Sequence, residues 1–318
     1  MAYLTEKTIN GKKYQYLVKS VRLPNGSIKK ISKLTDGNDN LKKLEEKYNG
    51  YFIEKEVELN AEYALSRFKT NYVFTKEEIT KIESMRVRYK YLIGSLDKAQ
   101  LKDLFDVFVA NYTYETNVLE GNSLTLKDVN IVIFENAVVA GKDLREVYET
   151  INARDVMDLV LKKKFDVSHK SAIKIHKMFM RDIDDRIGYK RFPNVLLGRR
   201  VETTPPEKVH EEMTKLIDWH NAALKDMHPL QVSAVFHGRF EHIHPFQDGN
   251  GRVGRFLSNV ILVNNGYPPL IIRKTKRMSY LAALDAFDRG HKEKPERFFL
   301  DNFKDTYRKF FEIYLKYL

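Results

Sequence analysis

The chain has no cysteine among its 318 residues. That absence excludes a disulfide scaffold, a thiol nucleophile and every thiolate metal site. It is compatible with a reducing compartment. Long apolar runs are missing too, since none approaches the ~18 residues that a membrane span needs. The best candidate, Val129 to Ala140, is short and broken by Asn130, Glu135 and Asn136. Met1-Ala-Tyr-Leu-Thr-Glu-Lys lacks the apolar region of a secretory signal. A cytoplasmic protein without a membrane partner is the expectation. Internal repeats and low-complexity tracts are also absent.

What is present favours a folded chain. Hydrophobic residues make up 43% and charged residues 31%, with nineteen Phe and eighteen Tyr, so a sizeable core is expected. At roughly 150 residues per domain, the length suggests about two domains, or one large domain with an appendage. The net charge is +12. Residues 1–50 carry eleven basic against five acidic residues, which is half of that excess. Either a polyanion site or a solvated basic face accounts for it. No zinc-finger or RNA-recognition signature accompanies the charge, and nucleic acid is not expected as a partner.

Tyr14, Tyr16 and Val18, then Val21 and Leu23, then Ile28 and Ile31 alternate as strands do, around the turn signal Pro24-Asn25-Gly26. A small basic β-hairpin is predicted. Asp36-Gly37-Asn38-Asp39-Asn40 reads as a linker or cap. Leu41, Leu44 and Tyr48 then predict a short helix closed by Gly50. From about residue 75 the pattern is helical. Thr75-x-x-Glu78 is a capping box before a segment ending at Gly94. Leu101, Leu104, Phe105, Phe108 and Val109 mark the next helix. Thr125-x-x-Asp128 and Asp143-x-x-Glu146 open two more, the second with a stripe of Leu144, Val147, Ile151 and Val156. Thr204-Pro205-Pro206-Glu207 is a further box, with Pro at the first helical position. Pro295 opens a last helix, whose Phe298, Phe299, Phe303, Phe310, Phe311 and Tyr314 read as core. Asn194 to Leu197 and Arg200 to Thr203 flank Gly198-Arg199, which predicts a two-residue hairpin.

Chemistry concentrates in residues 237–255. Val232, Val235, Phe236 and Phe240 before them, and Phe256, Leu257, Val260 and Ile261 after them, predict helix, tight loop, helix, the second starting near Asn250. Gly249 and Gly251 let backbone amides approach an anion, and the second helix's start adds its dipole. Arg252 and Arg255 share a helical face and suit phosphate oxygens. Asp248 is a lone carboxylate, and one carboxylate plus phosphates is how Mg²⁺ is usually held. His244 suits a general base, since an imidazole with pKa near ~6.5 takes a proton from a hydroxyl.

Three other readings fail. Gly249-x-Gly251-x-x-Gly254 follows a predicted helix, not a strand, and has no acidic residue before Asp285, unlike a dinucleotide fingerprint. An EF-hand is contradicted by Arg252 at the fifth position and Asn259 at the closing one. His237, His242 and His244 do not share a helical face as zinc ligands would, and His237 reads as a core residue.

Residues His244-Pro245-Phe246-Gln247-Asp248-Gly249-Asn250-Gly251-Arg252-Val253-Gly254-Arg255 match His-Pro-Phe-x-Asp/Glu-Gly-Asn-Gly-Arg-x-x-Arg at every specified position. The chain thereby resembles the Fic family over roughly residues 95–290. The resemblance implies a mainly α fold, a Fic-type helical bundle with a β-hairpin flap, here with a small N-terminal β-hairpin and helix appended. It implies AMP transfer from ATP to a Ser, Thr or Tyr hydroxyl of a target protein. The Doc-type kinase relatives depart from the motif in the glycine segment, which this chain keeps. His244 would be the base and Asp248 the Mg²⁺ ligand. Gly249, Asn250, Gly251 and Arg252 would cradle phosphates with Arg255, and Phe246 would anchor the loop. The flap, with Val195, Leu196 and Leu197, would pin a target backbone by strand addition.

Thr116-Asn117-Val118-Leu119-Glu120-Gly121 fits the family's inhibitory pattern Ser/Thr-x-x-x-Glu-Gly/Asn, upstream of the catalytic motif. Thr116 and Glu120 share a helical face, and Glu120 would pair with Arg255 where a γ-phosphate belongs. Some family members with this glutamate are thought to remove AMP instead. A nucleotide-gated scaffold built on the basic segment is the reading from another class. The expected division is 1–70 appendage, 71–125 inhibitory helical region, 126–290 catalytic core and 291–318 C-terminal helix. ATP and a target protein, the chain itself included, are the expected partners, and self-association is left open. Asn259, Arg273 and Tyr280 are candidates for a nucleobase pocket.

Overall fold

The computed structural model describes residues 2–35, 39–194 and 202–315. The chain divides into two compact units, Met1–Tyr91 and Leu92–Leu318. In the first, strands β1 (Ala2–Ile9), β2 (Lys12–Arg22) and β3 (Ile28–Leu34) form an antiparallel sheet in that order. The hairpin expected over residues 12–34 is β2–β3, turned where Gly26 (φ 85°) donates its N–H to the Leu23 carbonyl at 2.9 Å. β1 lies outside that expectation. Its signal is Asn10-Gly11, both at positive φ, the pair that a two-residue turn requires.

Helix α1 (Leu41–Arg67) is capped by the Asn40 side chain, which accepts from the Lys43 N–H at 3.0 Å. It covers one sheet face through a cluster of Leu17, Val21, Leu23, Ile31, Leu44 and Phe52. Gly50 does not end it. A helical glycine costs only about 1 kcal/mol against alanine, and Phe52, Val57, Ala61 and Ala64 bury a continuing stripe beyond it. Helix α2 (Lys76–Ser95) starts where predicted, with Thr75 Oγ1 accepting from the Glu78 N–H at 3.2 Å.

The second unit is a helical bundle. Its elements are α3 (Lys98–Val118), α4 (Leu126–Asn130), α5 (Leu144–Leu161), α6 (His169–Phe179), α7 (Val209–Ala223), α8 (Pro229–Ile243), α9 (Asn250–Asn264), α10 (Arg277–Asp288) and α11 (Glu293–Tyr307). α8 and α9 are buried along almost their whole length and pack on each other. α7, α10 and α11 flank α8, while α3, α5 and α6 flank α9. The aromatic stripe of the last helix is core at Phe299, Phe303, Phe310 and Phe311, and Phe108 of α3 stacks on Phe311 at 5.8 Å. Tyr314 is exposed.

Local expectations fail where tertiary contacts outbid them. Both halves of the Thr125 box form. At Asp143 only the cap forms, to the Arg145 N–H at 2.9 Å, because Glu146 turns to Ser123 instead. Leu144 is exposed despite the stripe. Thr204 makes no cap, since Pro206–Lys208 form a 3₁₀ turn ahead of α7. α11 begins two residues before Pro295. Val195, Leu196 and Leu197, with most of the predicted flap, lie outside the described residues.

Candidate active site

The predicted helix, loop and helix is α8, residues 244–249 and α9. His244 caps α8 in the left-handed conformation (φ 51°, ψ 61°), its N–H still bonded to the Phe240 carbonyl at 2.9 Å. A non-glycine residue held there is mildly strained, a cost that surrounding structure must sustain. The surroundings do so through Phe246. Its ring is fully buried and stacks on His176 of α6 at 4.0 Å, with planes 5° apart. Asn250 closes the loop at both ends, accepting the Phe246 N–H and donating to the Phe246 carbonyl, each at 2.8 Å. Asn194 donates to the carbonyls of Phe246 and Gln247 at 3.1 Å. Truncating the anchor, Phe246→Ala, is expected to destabilise the fold by about 3–5 kcal/mol. A denaturant titration reads this directly, and a loss below about 1 kcal/mol would mean that the loop stands without it.

His176 was not a predicted site residue. Its Nε2 meets the Asp248 carbonyl at 3.2 Å and its Nδ1 accepts the Gly188 N–H at 3.4 Å. Burial pushes its pKa down to about 4, so the ring is neutral. The unfolded chain, with a pKa near ~6.5, takes up the proton first as pH falls. Stability is therefore complete above about pH 6.5 and erodes toward pH 4, by about 3 kcal/mol in all. His176→Gln should flatten that slope in denaturant midpoints measured between pH 7 and 4.5. Equal slopes in both proteins would remove His176 from this role.

A cleft of about 380 Å³ opens beside the loop. Glu120, Pro193, Asn194, His244 and residues 247–251 line it. Gly249 caps α9 at φ 77°. The first helical bond of α9 runs from the Val253 N–H to the Gly249 carbonyl at 3.0 Å. The amides of Asn250, Gly251 and Arg252 precede it and are left as anion donors at the positive end of the helix. Asp248 accepts the Gly249 N–H at 2.6 Å and pairs with Arg145 of α5 at 2.7 Å. Burial alone would raise its pKa, but Arg252, the Gly249 amide and Arg145 outweigh it and hold the carboxyl low. Arg252 is buried, lies 4.3 Å over the Phe179 ring and pairs with Glu149 at 2.8 Å.

The second predicted group joins the first in this cleft. α3 ends at Val118, and Gly121 (φ 102°) turns the chain so that Glu120 faces Arg255. Arg255, 3% exposed, donates to Glu120 Oε1 at 2.8 Å, to Thr116 Oγ1 at 2.8 Å and to the Thr116 carbonyl at 3.0 Å. Burial works against both charges, yet each offsets it for the other. Glu120 is held below the usual carboxylate range and Arg255 above its ordinary value. The carboxylate lies so close over Gly251 that a Cβ there would clash with Glu120 Oε1. Glu120 thus occupies the space over the amide cradle.

Residues 166–262 match the family model described as the Fic/DOC family. Over that stretch the chain is similar to Fic domains. It is similar to protein adenylyltransferase fic-1 of Caenorhabditis elegans, 30% identical over 56% of this chain and 36% of the relative. Protein adenylyltransferase Fic of Nematostella vectensis is 29% identical over 73% of this chain and 54% of the relative. The chain thus spans about half or less of these curated relatives. The fold is that of a Fic-domain signaling protein from Bacteroides thetaiotaomicron (TM-score 0.65, 23% identity, 71% of this chain and 94% of that one). It is also that of a Fic-1 fragment from C. elegans (TM-score 0.66, 23% identity, 76% and 74%).

In this cleft the side chain of Asn250 holds the loop through Phe246, and its backbone amide stands at the start of α9. Asn259, Arg273 and Tyr280 do not line the cleft. Asn259 clamps Leu270 through both its amide and carbonyl, and Arg273 pairs with Glu115 and Asp305. Tyr280 bonds His237 at 2.7 Å, in keeping with a core role for that histidine. Arg145 and Glu149 went unpredicted because nothing local marks them. Their i, i+4 spacing is common on helices, and only the packing of α5 on α9 brings them to Asp248 and Arg252.

Proposed function

We propose that this protein transfers AMP from ATP to a Ser, Thr or Tyr hydroxyl of a protein and that Glu120 restrains the transfer. The observation that carries this reading is a single cleft holding His244, the amide start of α9 and the Glu120 carboxylate. His244 would take the hydroxyl proton as the oxygen bonds to the α-phosphorus. The bond from that phosphorus to the oxygen bridging to the β-phosphate breaks, and pyrophosphate leaves. The amides of Asn250, Gly251 and Arg252 would hold phosphate oxygens, with the Arg252 and Arg255 guanidiniums as counter-charges.

Asp248 suits Mg²⁺. It is one carboxylate at the cleft edge, and among the described residues no group of three or more His, Asp or Glu side chains gathers to hold a metal. Mg²⁺ is ordinarily held by one or two carboxylates together with substrate phosphates. Asp248 would hold the ion, which neutralises phosphate charge, and Arg145 would release the carboxylate to it. Glu120 restrains the site by pairing with Arg255 and covering Gly251, where the γ-phosphate would lie.

Wild type, Glu120→Gly and His244→Ala incubated with Mg²⁺ and ATP test this by intact mass. AMP should appear on Glu120→Gly, scarcely on wild type and not on His244→Ala. Glu120→Gly no more modified than wild type would overturn the restraint. AMP on His244→Ala at the Glu120→Gly level would overturn the assignment of the base. The same carboxylate supports a second reading, removal of AMP, in which Glu120 positions a water. Glu120→Gly should then abolish removal while raising transfer. A scaffold role would instead survive His244→Ala.

A further inference from the structure

We propose that the uncovered face of the three-stranded sheet binds single-stranded nucleic acid. The register sorts the N-terminal residues between two faces. Leu17 is opposite Leu4 and Lys33, and Lys19 is opposite Ala2 and Ile31, so these lie under α1. Tyr16 is opposite Thr5 and Leu34, Tyr14 opposite Lys7, and Ser20 opposite Lys30, so these point the other way. Strand alternation places Tyr3, Lys12, Arg22 and Ile28 with them.

That second face carries four cations, Lys7, Lys12, Arg22 and Lys30, and not one carboxylate. The acidic residue of the sheet, Glu6, pairs with Gln15 and lies on the α1 side. Only Val18 of the second face is buried. Tyr3 is 40% exposed, Ile9 46%, Ile28 56% and Leu34 47%, although β-sheet faces ordinarily bury such residues. Lys7 Nζ stands 5.2 Å over the Tyr16 ring, so cation and aromatic plane are interleaved. Lys12 and Arg22 end β2 about 33 Å apart, with the tyrosines between them.

This chemistry selects the ligand. Rings on an open sheet, flanked by cations, match unstacked bases joined by phosphates. An acidic peptide would use the cations and leave the rings without a counterpart. A duplex keeps its bases stacked inside, and its major groove, about 12 Å wide, admits a two-stranded ribbon. Three strands at about 4.8 Å spacing, with their side chains, are too broad for it. Net charge alone did not point here. The register does, by clearing one face of negative charge.

The test uses the full chain and fluorescence anisotropy with labelled single-stranded DNA and RNA of about 20 nucleotides, the matching duplex and poly-glutamate. Lys7→Glu with Arg22→Glu should weaken single-strand binding about tenfold or more and lower the salt slope by about 1.4. Lys13→Glu with Lys29→Glu makes the same charge change on the α1 side and should cost less than about threefold. Tyr3→Ser, which leaves charge untouched, should cost about fivefold or more. Equal loss in the two charge pairs overturns the proposal, as does an unaffected Tyr3→Ser. Tighter binding of the duplex or of poly-glutamate assigns the face to that partner instead, and no single-strand binding at low salt overturns it outright. DNA against RNA then identifies which strand the face takes.

Discussion

Replacing His244 by alanine in the Glu120→Gly background should slow AMP transfer by about 10²–10⁴-fold, the usual contribution of a positioned general base. The expectation rests on position. His244 sits at the end of a buried helix, in a left-handed cap, on a loop pinned by the Phe246 stack and the two Asn250 hydrogen bonds. Its ring is therefore placed by rigid structure, and alanine removes the base without moving the loop. ATP affinity should change little, because the amide cradle and both arginines remain. Calorimetric titration with ATP separates the two effects. A tenfold loss of ATP affinity with modest loss of rate would make His244 a binding residue. A rate within about threefold of the parent would remove it from the chemistry.

Glu120→Gly alone should raise transfer by about 10- to 100-fold. A hydrogen bond to a charged group contributes roughly 1.5–3 kcal/mol, and each 1.4 kcal/mol is tenfold in an equilibrium. Breaking the 2.8 Å Glu120–Arg255 contact shifts the site toward its ATP-accepting form by about that factor. About a third of the Glu120 side chain is exposed, so the lower half of the range is the firmer expectation. Acid does not substitute for the mutation. Because its pKa is lowered in the folded chain, Glu120 stays charged until the pH falls below the ordinary carboxylate range near ~4.3. Restraint should therefore be constant from pH 8 to 6, and release within that window would show that another group controls it. Gly251→Ala offers a contrast. Its Cβ would displace the Glu120 carboxylate yet also fill the cradle, so it should loosen the pair without gaining activity.

Much of this was legible in the residues themselves. Hairpin β2–β3 came from alternation around a turn tripeptide, and the starts of α2 and α4 from capping boxes. Those signals span a few residues, and backbone hydrogen bonding acts over the same range. The run from His244 to Arg255 likewise announced a helix, a glycine-rich turn and a second helix, and those are what formed. Gly50 and Gly121 mark the limit of local reading. Gly50 looked like a helix stop, yet it lies inside α1 because Phe52 finds a sheet to cover, whereas Gly121, past the end of α3, turns the chain so that Glu120 faces Arg255.

By itself, then, the sequence determined the local turns and helix starts around the candidate site. The tertiary structure decided their partners. Arg255 meets a glutamate 135 residues away, and Asp248 meets an arginine 103 residues away. Asn250 spends its side chain on the loop, and His176 supports that loop from another helix. Such pairings depend on which helices pack against α9 and at what height. That is set by burial of apolar faces along whole helices, a property that no short window of residues contains.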